Sequence, residues 1–302
     1  MKFREVPLWW MLLLVALAVR LPALPAALPY LTYVDEGHVL HRSAHLLAAH
    51  TWEPDNYSYP SLPFYLVAGG ALAWSPVYAL QHGHALSHDV AEPWTFYDVV
   101  EPVDLIVIGR LLTLAFSLAL VLLTGLLAGR LAGPAAGLAA GWLAAWVPAL
   151  VVRGTVVNVN PQAACFAVAA LFFAEGARAG EHPRRDALLA GTMAGLAGAS
   201  KYPVALVVLP VGLAAALALP SWRERILRLG LAAGAALLAA AVAMPALVLR
   251  PAAVAAGLHE MDVIYTHQPA GSYWQQAFQR AEWDLPLEHP EVGFAFAALT
   301  VA

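Results

Sequence analysis

Apolar residues in this chain come in long unbroken runs rather than in alternation. Seven such runs, about 8–28, 106–129, 133–152, 161–177, 187–200, 203–220 and 229–249, are separated by polar segments, and an eighth starts at Val292. Runs of this kind predict helices that cross a lipid bilayer, because a helix satisfies its own backbone where water is absent. A long stretch, 29–105, separates the first two runs, and another, 250–291, follows the seventh. The expected fold is an all-α integral membrane protein: a polytopic helical bundle of about seven spans, with the eighth run as the start of a further one. It forms a single domain over 1–302, and the eighth run's stop at Ala302 predicts truncation at the C-terminus. Residues 29–105 are then the first outer loop and 250–291 the later one.

Both loops carry amphipathic, juxtamembrane patterns. At about 100° per residue, Asp35, His38, His41, Arg42 and His45 fall on one arc, and Val39, Leu40, Ala44, Leu46 and Leu47 lie opposite. This predicts an interfacial helix with its apolar face down. Further along, "YPSLPFYL" (59–66) is too short and too interrupted to span alone. It predicts an interfacial helix started by Pro60 and Pro63, since proline is tolerated in a first helical turn. The later loop is aromatic-rich and carries His259, Glu260, Asp262, Tyr265 and His267.

Composition supports the bilayer as solvent. Of 302 residues, 61% are hydrophobic and 12% charged, with a mean hydropathy of +0.68; a soluble domain needs far more charge to cover its surface. The net charge of −4 points to no nucleic-acid partner and no polybasic anchor. A single cysteine, Cys165, excludes a disulfide framework. The basic residues sort by side. Lys2, Arg4, Arg130, Arg178, Arg184, Arg185, Arg223, Arg225 and Arg228 fall in short segments on one face, which is cytoplasmic by the positive-inside rule. The N-terminus is then cytoplasmic, and its apolar run reads as a retained signal-anchor because no small-x-small cleavage site follows.

Glycines at four-residue spacing (Gly125 and Gly129; Gly133, Gly137 and Gly141; Gly191 and Gly195) predict close helix packing. Run five holds only about 14 residues between Asp186 and Lys201. That covers about 21 Å of a ~30 Å hydrocarbon core, so Lys201 either snorkels or lines a recess on the outer face. Arg20 inside run one is either another snorkelling anchor or the mark of a cavity or a paired anion.

Three readings of the adjacent acids Asp35 and Glu36 stay open at this point: a metal site with the nearby histidines, a solvated interfacial face, or a catalytic carboxylate pair. A resemblance bears on the choice. "VDEGHVLHRSAHLLAAHTWEPDNYSYPSLPFYL" (34–66) resembles the first outer loop of polyprenyl-phosphate-sugar-dependent glycosyltransferases of the C-type superfamily. These include the protein O-mannosyltransferases and the lipid A aminoarabinose transferases. "GRLLTLAFSLALVLLTGLLAGRLAG" (109–133) resembles their next span with its opening arginine, and "AGLAGASKYPVALVVLP" (194–210) their lysine-tyrosine turn.

The resemblance implies transfer of a sugar from a polyprenyl-phosphate donor to a hydroxyl of a lipid, glycan or protein acceptor. The reaction proceeds with inversion on the outer face of the plasma (inner) membrane. Asp35 is then the base, and Glu36 orients the acceptor or helps to hold a cation; a divalent metal ion on Asp35, Glu36 and His38 stays an option. Lys201 faces the lipid phosphate, with Arg110, Arg20 and Arg250 as weaker cations, and Tyr202, His38, Arg42, Tyr59, Glu260 and His267 meet substrate. One departure is Asn158 and Asn160, where many relatives place an aspartate. It keeps open the alternative of an inactive or truncated scaffold. A lipid or solute transporter is a third reading, for which the expected internal repeats and midplane charges are not visible.

Overall fold

The computed structural model describes residues 6–90, 100–180, 182–217 and 221–266. Every regular element among them is helical, and the chain divides into two units, Met1–Gly257 and Leu258–Ala302. The first unit begins with α1 (Val6–Arg20), followed by a short 3-10 turn, Leu21–Ala23. Three helices occupy the long loop: α2 (Val34–Ala48), α3 (Leu62–His82) and α4 (Leu86–Asp89). Then come α5 (Val103–Ala132), α6 (Pro134–Trp146), α7 (Pro148–Arg153), α8 (Val159–Ala179) and α9 (Pro183–Ser200). A 3-10 stretch, Tyr202–Val207, leads into α10 (Val208–Leu217), and α11 (Trp222–Ala243), α12 (Ala246–Leu249) and α13 (Pro251–Thr266) follow.

Each of the seven apolar runs lies on a helix or a helix pair, but their lengths differ from the simple expectation. Among the described residues, two helices, α5 and α11, are long and apolar enough on their own to cross a membrane. The others are cut by identifiable residues. Pro148 divides run three into α6 and α7, the 3-10 stretch after Lys201 divides run six, and Glu175 and Arg178 end the apolar face of α8. Run five grows in the opposite direction. Pro183, Arg184, Arg185 and Asp186 form the first turn of α9, which brings it to 18 residues, or about 27 Å. The recess inferred from a very short fifth span is therefore shallower than the apolar run alone implied. Position Val292, where an eighth span was expected, lies outside the described residues.

The loop helix α3 is also longer than expected. Pro63 sits in its first turn as predicted, but the helix continues through Pro76 to His82 and stops at Gly83, whose φ of 83° lies in the left-handed region that glycine adopts freely. The predicted apolar face of α2 is buried: Val39, Leu40, Ala44, Leu46 and Leu47 pack with Phe64, Val67 and Ala71 of α3 and with Leu105 and Ile106 at the start of α5. The face expected to lie on lipid thus lies on protein.

Small residues set the inter-helix distances. A Cβ added at Gly191 would collide with Ala232 O, and one at Gly195 with Ala236 O, so α9 and α11 touch backbone to backbone. A Cβ at Gly137 would meet Gly125 O at 2.8 Å, and α5 and α6 are held in the same way. Outside these seams the surface is apolar: Trp10, Leu14, Leu143, Leu209, Leu237 and Val242 are all more than half exposed. Such a belt suits hydrocarbon rather than water.

Arg20 resolves neither as a snorkelling anchor nor as the mark of an open cavity. Its side chain is fully buried. It donates to Ser117 Oγ (2.9 Å), Ala16 O (3.0 Å), Ala145 O (2.9 Å) and Ala144 O (3.4 Å). The last two carbonyls close α6. The regular partner of Ala144 O would be the amide of residue 148, which is proline and has none. The guanidinium supplies the missing donors. With four of its five donors used and no exposed surface, it offers nothing to a phosphate.

Candidate active site

The two neighbouring acids of α2 part company at once. Glu36 is fully buried. Its Oε1 accepts from Arg110 Nε and from the Val157 amide, both at 2.9 Å. Its Oε2 accepts from Arg110 Nη2 (3.1 Å), the Thr32 amide (2.9 Å) and Thr32 Oγ1 (3.1 Å). Burial works against the charge, but Arg110 and the two amides outweigh it and hold the carboxyl below its ordinary range. The Arg110 guanidinium is equally committed, giving its Nη1 protons to Leu24 O (2.7 Å) and Ala26 O (2.8 Å) and its last Nη2 proton to Thr32 Oγ1 (3.5 Å). Two assignments change as a result. Glu36 has no free lone pair with which to orient an acceptor, and Arg110, 1% exposed, offers nothing to a donor phosphate. Together they tie four segments: the end of the first helical region, α2, α5 and the approach to α8.

Asp35, one residue earlier, is half-buried and points elsewhere. Desolvation raises its pKa, while the charges of Lys201 and Arg153 pull it down less strongly. Lys201 caps the C-terminus of α9 in extended conformation, is half-buried, and donates from Nζ to Asn160 Oδ1 at 2.7 Å. Its own pKa is lowered, first by burial, with Asp35 opposing and Arg153 adding to the shift. Arg153 ends α7 and is aimed by Tyr33, whose hydroxyl accepts from Nη1 at 2.9 Å. One carboxylate and two cations thus feel one another's charge in a region built from the starts of α2 and α8 and the ends of α7 and α9. Its formal charge is one positive unit, which favours an anionic ligand.

Arg153 escaped the sequence reading because it belongs to no motif; the available signal was Pro148, which turns the end of run three inward. The asparagines also acquire places. Asn158 caps α8 by accepting from the Asn160 amide at 2.7 Å, and Asn160 holds Lys201.

Other predicted residues are spread more widely. His38, Arg42 and Tyr59 cluster on the polar face of α2. His38 lies 4.3 Å from the Tyr59 ring, centroid to centroid, and 3.2 Å from Arg42 Nη1 through Nδ1. Burial, aided by Arg42, pushes its pKa down to about 3. Arg42 stands 3.5 Å from Asp55. Tyr202 donates its hydroxyl to Tyr57 O at 3.0 Å and so braces the loop before α3. Arg250 pairs with Glu53 at 2.9 Å. Glu260 is exposed on α13 in the second unit, and His267 lies outside the described residues.

A metal on Asp35, Glu36 and His38 does not fit. Glu36 is spent on Arg110, and the ligand atoms of the three do not converge; among the described residues only His84, His88 and Asp89 do.

A family model described as dolichyl-phosphate-mannose-protein mannosyltransferase matches residues 103–249. The fold is similar to the crystal structure of the Archaeoglobus fulgidus oligosaccharyltransferase in the apo form, with a TM-score of 0.57 and 14% identity. The match covers 90% of this chain and 40% of that one. It is similar also to the same enzyme's complex with Zn and sulfate, with a TM-score of 0.50, 13% identity and coverage of 86% and 39%. The chain therefore spans about two-fifths of the solved protein's length. No curated protein sequence matches. The chain is thus similar in sequence to that mannosyltransferase family over residues 103–249, and similar in fold to that oligosaccharyltransferase over most of its length.

Proposed function

We propose that this chain is a membrane glycosyltransferase that moves a sugar from a polyprenyl-phosphate donor to an acceptor hydroxyl, with inversion and with Asp35 as base. The reaction takes place on the outer face of the inner membrane, where the starts of α2 and α8 and the end of α9 meet, and the apolar helices other than α5 and α11 complete the bundle in the bilayer. The acceptor is a lipid, a glycan or a protein.

The observation that carries this reading is the grouping of Asp35 with Lys201 and Arg153. The acceptor oxygen attacks the anomeric carbon as its proton passes to Asp35. The bond from that carbon to the phosphate oxygen breaks, and its electron pair leaves with the polyprenyl phosphate. A carboxylate whose pKa is raised by desolvation is a stronger base than a solvated one. The leaving phosphate gains charge in the transition state, and Lys201 and Arg153, held by Asn160 and Tyr33, are fixed before that charge appears. The excess of one positive unit keeps the donor's phosphate in place without pairing off the base.

The test is transfer from a polyprenyl-phosphate sugar in nanodiscs. Asp35→Asn should lower turnover by roughly 10²–10⁴-fold, the scale of general-base catalysis, with donor binding retained. Lys201→Ala should raise the KM for the donor. Undiminished transfer by Asp35→Asn removes the base, and an unchanged KM in Lys201→Ala removes the phosphate contact. A wild-type chain that binds donor but transfers nothing would favour the inactive-scaffold reading.

A further inference from the structure

Away from the acid–cation site, the turn joining α3 to α4 carries the segment His82-Gly-His-Ala-Leu-Ser-His-Asp89. Three of its side chains converge. His84 Nδ1 lies 3.5 Å from Asp89 Oδ2, and His88 Nδ1 lies 3.7 Å from Asp89 Oδ1. One ligand atom from each of the three falls within 4.8 Å of the other two. Two ligands bound to one tetrahedral zinc at about 2.0–2.2 Å stand about 3.3–3.6 Å apart, and each imidazole nitrogen already stands close to that distance from one oxygen of the Asp89 carboxylate.

Two further observations point to a ligand rather than to an ordinary polar turn. His84 Nδ1 is shielded from water and has no hydrogen-bond partner, although it faces the carboxylate. A lone imidazole nitrogen in that position normally finds a donor or an acceptor. Asp89 is oriented from behind, because the Tyr78 hydroxyl donates to its Oδ2 and the His82 ring stacks on Tyr78 with centroids 4.0 Å apart. A ligating carboxylate fixed by a second hydrogen bond is the usual build of a metal site.

We propose that His84, His88 and Asp89 bind one zinc ion, with water in the fourth position, and that the ion clips α4 to the end of α3. Two imidazoles and a carboxylate form a borderline donor set that suits zinc better than calcium or magnesium, which take oxygen ligands. Gly83, in its left-handed conformation, turns the chain so that His84 can face back towards Asp89. The site is independent of the glycosyltransferase reading, since it contains neither Asp35 nor Lys201.

The experiment uses the full chain without an affinity tag, stripped with a chelator in detergent, loaded with zinc chloride and desalted. Elemental analysis should then find one zinc per chain, and a chromophoric chelator should compete for it. X-ray absorption should show only nitrogen and oxygen neighbours. His84→Ala with His88→Ala should weaken retention at least tenfold. His88→Gln should weaken it as well, and with a side chain 77% exposed it tests the ligand without disturbing the fold. Asp35→Asn with His38→Ala should keep the ion. No retained zinc, retention unchanged in His88→Gln, or loss only in the Asp35/His38 variant would each overturn the assignment.

Discussion

Replacing Glu36 with glutamine changes one atom and should be among the most damaging substitutions in the chain. The glutamine oxygen can take the place of Oε1 and keep the Arg110 Nε and Val157 amide bonds. Its NH₂ group must then face Arg110 Nη2, a buried donor, and the part-buried Thr32 amide. Both donors lose their acceptor at about 1–3 kcal/mol each, and Arg110 loses its counter-charge. Removing one member of a buried ion pair costs about 3–5 kcal/mol, so the two estimates meet near 4 kcal/mol. Unfolding by SDS in mixed micelles, followed by tryptophan fluorescence, measures the difference.

The pH dependence provides a check on the cause. The folded Glu36 pKa lies below its ordinary value of 4.5, so its contribution is fully present above that value and fades as pH falls through the folded pKa. The gap between wild type and Glu36→Gln should therefore narrow in acid. The double variant Glu36→Met, Arg110→Met should cost less than the sum of its singles, because no unpaired charge is left buried. A gap below about 1 kcal/mol at neutral pH, or one that does not shrink in acid, would refute the reasoning built on the buried pair.

Other substitutions probe separate contacts. Arg20→Met strips donors from Ser117 Oγ and from the Ala144 and Ala145 carbonyls; a loss of about 2–4 kcal/mol is expected in the same titration, and tolerance would contradict its capping role. Gly191→Ala forces a methyl against Ala232 O and should cost about 1–3 kcal/mol, whereas Gly230→Ala, with nothing within 4 Å, should be neutral; equal melting of the two would undo the close-packing account. Arg153→Gln removes a charge that lowers the Asp35 pKa. The acid limb of kcat/KM for transfer should then move to higher pH, and an unmoved limb would separate Arg153 from the base.

How far the sequence could be read depended on whether a feature was local. The apolar runs locate the helices, because burying a helix in lipid requires uninterrupted apolar residues. The wheel over 34–49 identifies which side chains of α2 are buried, because azimuth follows from spacing alone. Neither could show that Arg110 closes on Glu36, since a wheel gives direction along one helix but not the identity of the segment folded against it. The same limit hid Arg153, and it made His38 look available when Tyr59 covers it. Arg20 looked like an intramembrane anomaly because its ligands are backbone carbonyls, which no side-chain pattern reveals. The recess at Lys201 was inferred from a short apolar run; the helix itself is longer, because charged residues can form its first turn.

One consequence follows from the order of the two acids. Successive residues on a helix look about 100° apart, so a single peptide bond is enough to send one carboxylate into the scaffold and expose the other to the site. Any loosening of the inward-facing acid is transmitted to its neighbour through the shortest covalent path the chain allows. Exchanging their order, with Asp35→Glu and Glu36→Asp together, preserves composition and charge. It would nonetheless stretch the site-facing arm by one carbon while leaving the strut one carbon too short to reach its guanidinium. The identity of the pair is therefore less informative than its direction of reading.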